Sequence, residues 1–164
     1  MKQDRKVAAL EMETRFRAEG KKVTPQRQRI FDLLAENTEH PTAENIFRMV
    51  QQDMPTVSLK TVYQTLNELG QLGMINFLEL GGGSMRFDPN VNHDHQHLVC
   101  EVCGSVADID LGPLERVFNG RSDVVFLVTR AEVILRGVCE VCQSIDPDSA
   151  NQPEVGSRQK VPSD

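Results

Sequence analysis

Residues 58–88 read SLKTVYQTLNELGQLGMINFLELGGGSMRFD, and this stretch decides the fold. Ser58 is an N-cap residue, and Leu59, Val62, Leu66 and Leu69 recur at helical spacing, so a helix with one buried stripe starts here, with Gly70 as its stop. Lys60, Tyr63, Gln64 and Asn67 fall at i, i+3, i+4 and i+7 on the opposite stripe. After Gly73 come two apolar runs, 74–80 and 84–88, joined by Gly81-Gly82-Gly83, which predicts a hairpin.

Upstream, three further helices are expected. Residues 5–19 place Val7, Leu10, Thr14 and Ala18 at roughly helical spacing before Gly20. Thr24-Pro25 is an N-cap followed by proline at the first helical position, and Ile30, Phe31, Leu33 and Leu34 give that helix its apolar face. Thr42 caps a third helix with Ile46, Phe47 and Val50 inward, leaving His40 just outside its start. Three helices, a helix that presents a polar face and a hairpin, in that order, describe a winged helix-turn-helix. In that setting the polar stripe suits a DNA major groove, since Gln and Asn can pair bidentately with adenine and an aromatic edge can meet the thymine methyl. Outside it, the same stripe would be an ordinary solvated helix face.

Downstream, residues 93–103 read HDHQHLVCEVC and carry most of the metal-ligand types. His95 and His97 sit two apart in a strand-like segment, so both imidazoles share one face. Cys100 and Cys103 join Cys139 and Cys142 as two Cys-x-x-Cys pairs, a tetrathiolate set for structural Zn(2+). Redox pairs or disulfides are the alternative reading. A second site of nitrogen and oxygen donors would draw on His40, Asp88, His95, His97 and Asp108, from separate segments of both domains. Taken singly, His40 reads as a loop histidine, Asp88 as a turn residue before Pro89 and Asp108 as a strand-edge charge; only His95 and His97 have chelate spacing.

The expected organisation is α+β: a winged-helix DNA-binding domain over 1–88, a hinge at 89–92 and a small α/β dimerisation domain with its zinc site over 93–145. In the second domain, strands are expected at 95–100, 105–110, 124–128 and 133–135 and a helix at 113–119; residues 146–164 lack apolar periodicity and read as a disordered tail. The formal charge of -6 is unevenly spread. Residues 1–88 hold 12 basic and 12 acidic side chains, residues 89–164 hold 6 and 12, and the first thirty residues hold nine and four. Acidic composition therefore does not exclude DNA. The charged N-terminus and the absence of a long apolar run exclude a signal peptide and a membrane span, which points to the cytoplasm.

The run Lys22-Val23-Thr24-Pro25-Gln26-Arg27, the stretch His40-Pro41-Thr42-Ala43-Glu44, Thr61-Val62-Tyr63, the wing ending Arg86-Phe87-Asp88 and His97-Leu98-Val99-Cys100 with both cysteine pairs resemble the ferric uptake regulator (Fur) family over about residues 14–143. That resemblance implies a homodimeric winged-helix repressor with a zinc-thiolate site in its dimerisation domain and a regulatory metal bridging the two domains. His40, Asp88, His95, His97 and Asp108 stand where the peroxide-sensing PerR branch has its regulatory ligands, and aspartate at both carboxylate positions favours that branch over the iron-responsive one. Lys22, Arg27 and Tyr63 match family DNA contacts, whereas many relatives have arginine at the position of Gln64.

The sequence thus implies a repressor, not an enzyme, that binds an A/T-rich inverted repeat of double-stranded DNA when Fe(2+) or Mn(2+) fills the bridging site. Peroxide would disable it when the metal is iron. The alternatives are an iron-responsive repressor of the same fold, a metalloenzyme that turns over peroxide at the same ligands, and a zinc-braced interaction module without DNA binding.

Overall fold

The computed structural model describes residues 2–81, 83–91, 95–112 and 132–145, with side chains from residue 7 onward. Four helices come first: α1 (Lys2–Ala18), α2 (Pro25–Glu36), α3 (Ala43–Asp53) and α4 (Leu59–Gln71). Each of the last three starts on the cap read from the sequence. The Thr24 hydroxyl accepts from Arg27 N, Thr42 forms a reciprocal capping box with Asn45, and Ser58 accepts from Thr61 N.

Their facing stripes make one core: Met12 and Phe16 of α1, Ile30, Phe31 and Leu34 of α2, Ile46 and Val50 of α3, and Val62, Leu66 and Leu69 of α4. Here α1 differs from expectation. Its buried stripe is Ala9, Met12 and Phe16, while Val7 and Leu10 are exposed. Both stripes have helical spacing, and Phe16 decides the phase because its ring packs on Phe31 at 5.3 Å.

Gly70 does not stop α4, which continues to Gln71 and ends at Gly73 with φ +65°. Gly70 instead makes room for the Phe77 ring, which occupies the place a β-carbon would need. The hairpin is shorter than the apolar runs suggest. Strands β1 (Asn76–Leu78) and β2 (Arg86–Asp88) pair antiparallel, Phe77 opposite Phe87. Phe87 is buried in the helical core, and a bridge between Thr42 and Arg86 adds the start of α3 to the edge of the wing.

The second domain is a three-stranded sheet in the order β4-β3-β5, with β3 (Gln96–Cys100) central. β4 (Val106–Ile109) runs antiparallel to it and β5 (Ile134–Gly137) parallel. A short helix α5 (Glu140–Ile145), not foreseen from the sequence, follows and buries Cys142. The expected helix at 113–119, the strand at 124–128 and the tail at 146–164 lie outside the described residues.

A second apolar cluster joins the domains: Leu78 and Leu80 from the wing pack with Val99, Val106 and Ile134. Two arginines cross the same seam. Arg86 donates to the carbonyls of His40 (3.0 Å) and Gly104 (2.7 Å), and Arg136 donates to the carbonyl of Leu80 at 2.8 Å. Among the described residues no helix is long and apolar enough to cross a membrane.

Candidate metal centre and nucleic-acid interface

The five nitrogen and oxygen donors are delivered by different devices. His40 lies in the loop before α3 with φ +51°, a left-handed conformation uncommon outside glycine and costly enough to need support. The wing supplies that support, because Phe87 N donates to Pro41 O at 3.1 Å and Arg86 holds the His40 carbonyl. Asp88 ends β2, its Oδ1 accepting from Asn90 N at 2.7 Å in a turn that leads into the second domain. His95 stands just before β3, His97 lies within it, and Asp108 faces His97 across the β3–β4 ladder.

One ligand atom each from His40, His95, His97 and Asp108 lies within 4.8 Å of all the others. Asp88 closes the group from the side: its oxygens are 3.6 Å from His40 Nε2 and 3.2 Å from His95 Nε2. His40 Nε2 is 2.9 Å from Asp108 Oδ1, and the Nε2 atoms of His95 and His97 are 3.1 Å apart. His40 and Asp88 are 1% exposed and His97 4%, whereas the Asp108 side chain keeps 37%, so the cluster is buried with one carboxylate at its mouth.

Several buried polar atoms here, including both ring nitrogens of His40 and Asp88 Oδ2, make no hydrogen bond of good geometry despite these short approaches. Buried polar atoms left unsatisfied among converging ligand types suit a cation. Burial lowers the His40 and His97 pKa values, against the opposing pull of Asp88 and Asp108. Both are therefore poised as neutral imidazoles, the form that ligates metal. Three imidazoles and two carboxylates form a borderline donor set that Fe(2+), Mn(2+) or Zn(2+) can use. Asn90, which sequence reading treated as hinge, lies 3.5 Å from His95 Nδ1 and 3.4 Å from Asp108 Oδ2.

The four cysteines also converge, with their sulfurs within 4.8 Å of one another and no disulfide among them. Cys103 Sγ and Cys139 Sγ are 3.7 Å apart, close to the edge of about 3.8 Å that a tetrahedron with Zn–S bonds of about 2.3 Å requires. Cys100 is drawn down to about 6 by backbone N–H donors at Cys103 and then Cys139. Cys142 is pushed up to about 12, first by its hydrogen bond with Cys139 and then by burial. Four thiols held this closely cannot all ionise unless a cation joins them, so the donor chemistry fits Zn(2+).

On α4, Lys60, Tyr63, Gln64 and Asn67 are all exposed, and Lys22 is exposed in the loop before α2. Arg27 is placed differently. Its guanidinium lies 4.8 Å from the Phe16 ring centre and 2.9 Å from Glu68 Oε2, and it donates to the Lys22 carbonyl at 2.9 Å, so it braces the Lys22 loop. Gln64 also donates to Glu68, at 2.9 Å.

Residues 18–136 match the sequence model of the ferric uptake regulator family. The peroxide-responsive repressor PerR of Staphylococcus aureus is 37% identical over 131 residues, 78% of this chain and 86% of that protein. Among solved structures, the Helicobacter pylori ferric uptake regulator is 21% identical with a TM-score of 0.72, over 85% of this chain and 93% of that one. The Vibrio cholerae ferric uptake regulator is 28% identical with a TM-score of 0.63, over 76% and 96%. These relatives are regulators and not enzymes, in keeping with the expectation for this chain. By sequence over most of its length and by fold, the chain belongs to the ferric uptake regulator family.

Proposed function

We propose that the chain is a dimeric transcriptional repressor that binds double-stranded DNA, with an A/T-rich inverted repeat as operator, when Fe(2+) or Mn(2+) occupies the site of His40, Asp88, His95, His97 and Asp108, and that peroxide inactivates the iron-loaded form. The convergence of His40 and Asp88 from the helical domain with His95, His97 and Asp108 from the sheet domain carries this reading. Ligands shared between two bodies favour the arrangement in which those bodies are docked. A metal that binds only that arrangement lowers its free energy, and DNA that selects the same arrangement is then coupled to the metal. The 37% identical PerR protein, a peroxide-responsive repressor, supports the choice of signal. A repressor of this kind works in the cytoplasm, where the operator is.

Iron held by these residues would supply the one-electron chemistry that opens the peroxide O–O bond. Overall, peroxide would be reduced by two electrons and an imidazole C–H of His40 or His95 oxidised by two, so that the ring gains one oxygen atom, the other leaves as water, and the oxidised ring no longer holds the two domains together. The exposed edge of Asp108 gives peroxide a way in. Zn(2+) on Cys100, Cys103, Cys139 and Cys142 stays a brace for β3, β5 and α5.

Anaerobic protein loaded with Fe(2+) or with Mn(2+) should bind operator DNA with a steep salt dependence. Peroxide should release only the iron form, with a gain of one oxygen atom at His40 or His95 in mass spectra. Release on iron depletion without any oxidation would mark an iron sensor instead, and release with oxidation confined to the cysteines would overturn the histidine mechanism.

A further inference from the structure

The recognition face of α4 is held by a residue of another helix. Tyr63 Oη donates to Glu44 Oε1 at 2.7 Å, across nineteen positions of sequence, although both side chains are exposed. A carboxylate on a face that meets phosphates repels them, so its presence there calls for a compensating role. Glu44 is itself well fixed. It sits in the first turn of α3, behind the Thr42 capping box, and Arg48 approaches its carbonyl at 3.4 Å. The Tyr63 hydroxyl, then its own backbone N–H, hold the Glu44 carboxyl below its ordinary range, with smaller help from Thr42 and Arg48. The same bond raises the phenol. A hydrogen bond from a neutral hydroxyl to an ionised carboxylate is short and stronger than a neutral pair, so it can order an exposed ring.

We propose that Glu44 is a positioning residue for sequence recognition: by engaging the Tyr63 hydroxyl it turns the phenol so that the ring edge, and not a hydroxyl donor, meets the bases. This rests on the reading that α4 enters a DNA groove. With its proton committed to Glu44, Tyr63 cannot donate to the guanine or thymine acceptors of the major groove. What it offers is apolar surface, and the matching feature on a base pair is the thymine methyl.

The chain has one tyrosine and no tryptophan, so phenolate absorbance in the intact protein follows Tyr63 alone. The wild-type phenol should titrate above the ordinary value of 10, and Glu44→Gln and Glu44→Ala should bring it down toward that value. An operator selected from random DNA by the Mn(2+)-loaded wild type then gives the functional readout. Replacing the contacted thymine with deoxyuridine should weaken wild-type binding roughly fourfold, the value of one buried methyl group. The same replacement should leave Glu44→Ala unaffected. In the Tyr63→Phe background, Glu44→Ala should cause no further loss of discrimination, and thermal unfolding of Glu44→Ala separates any weakening of α3 from loss of recognition. A phenol that titrates identically in wild type and both Glu44 variants overturns the proposal, as does a thymine preference that survives Glu44→Ala. A wild-type protein that binds no DNA but shows the raised phenol overturns the DNA-binding reading itself, and with it this role for the bond.

Discussion

His97 on β3 and Asp108 on β4 are register partners in one antiparallel ladder, so the sheet alone brings an imidazole and a carboxylate to the same place. His95 stands beside them just before β3, and only His40 and Asp88 arrive when the helical domain docks. His97→Ala should therefore leave zinc content intact while abolishing the gain in DNA affinity caused by Mn(2+), a coupling of about 5- to 150-fold in typical cases. Titrations of labelled DNA with and without Mn(2+), beside metal analysis, check both halves. Asp108→Glu keeps the charge on a longer arm at the exposed mouth of the site. It should retain Mn(2+)-dependent binding and lose peroxide sensitivity in the iron form.

Cys100→Ser and Cys139→Ser should behave in the opposite way. Losing one thiolate from a structural zinc site removes metal-linked folding free energy, so zinc should be lost and the sheet domain should unfold or the dimer dissociate. Size-exclusion chromatography with zinc analysis decides; a zinc-free, folded dimer would remove the structural assignment.

Arg86 ties the His40 segment to Gly104, which lies between Cys103 and Ser105 in the turn of the first cysteine pair. Arg86→Met strands two carbonyls, at about 1–3 kcal/mol for each that is left buried and unpaired. Lower thermal stability and weaker DNA binding are expected at unchanged zinc content, with binding recovering in part at saturating Mn(2+). DNA affinity equal to wild type at sub-saturating Mn(2+) would show that the bond does not hold the docked arrangement.

Gly70→Ala drives a methyl into the Phe77 ring. The wing must shift or the ring must leave, and overpacking of this kind costs about 1–3 kcal/mol. Urea unfolding should show that loss, and a second change, Phe77→Leu, should recover part of it.

Acid should loosen the metal-free protein. Burial lowers the folded pKa values of His40 and His97 below the ordinary 6.5, so below that value the unfolded chain binds protons that the folded one resists. The stability contributed by these two neutral rings is thus present above pH 6.5 and is lost as pH falls from there toward the folded values. Thermal midpoints of metal-free protein between pH 7.5 and 5.5 should decline, and the decline should be smaller in His97→Ala.

Much of this was legible in the sequence because it depends on local rules. The Thr24, Thr42 and Ser58 caps, the α4 stripes and the cysteine pairs each declare themselves within a few residues. Residues that act across the chain were harder to read. Val7 and Leu10 have the same helical spacing as Ala9, Met12 and Phe16, and only the ring of Phe31 settles which stripe turns inward. Gly70 looked like a stop signal because its true partner, Phe77, is reached only when the chain reverses into the wing. Arg27 matched a DNA contact by resemblance, and its packing on Phe16 and pairing with Glu68 involve partners far off in sequence that no local pattern announces. Asn90 and α5 carried no signal beyond polar or short sequence.

Leu78 and Leu80 belong to the wing in sequence and to the second apolar cluster in space. The docked protein therefore has a seam that must be wetted before its halves can part, and side chains sealed together do not slide out one at a time. Such a joint separates abruptly. If the chain represses as proposed, each molecule would either grip its operator or let go, and the cell's response would be graded only through the number of molecules that have parted.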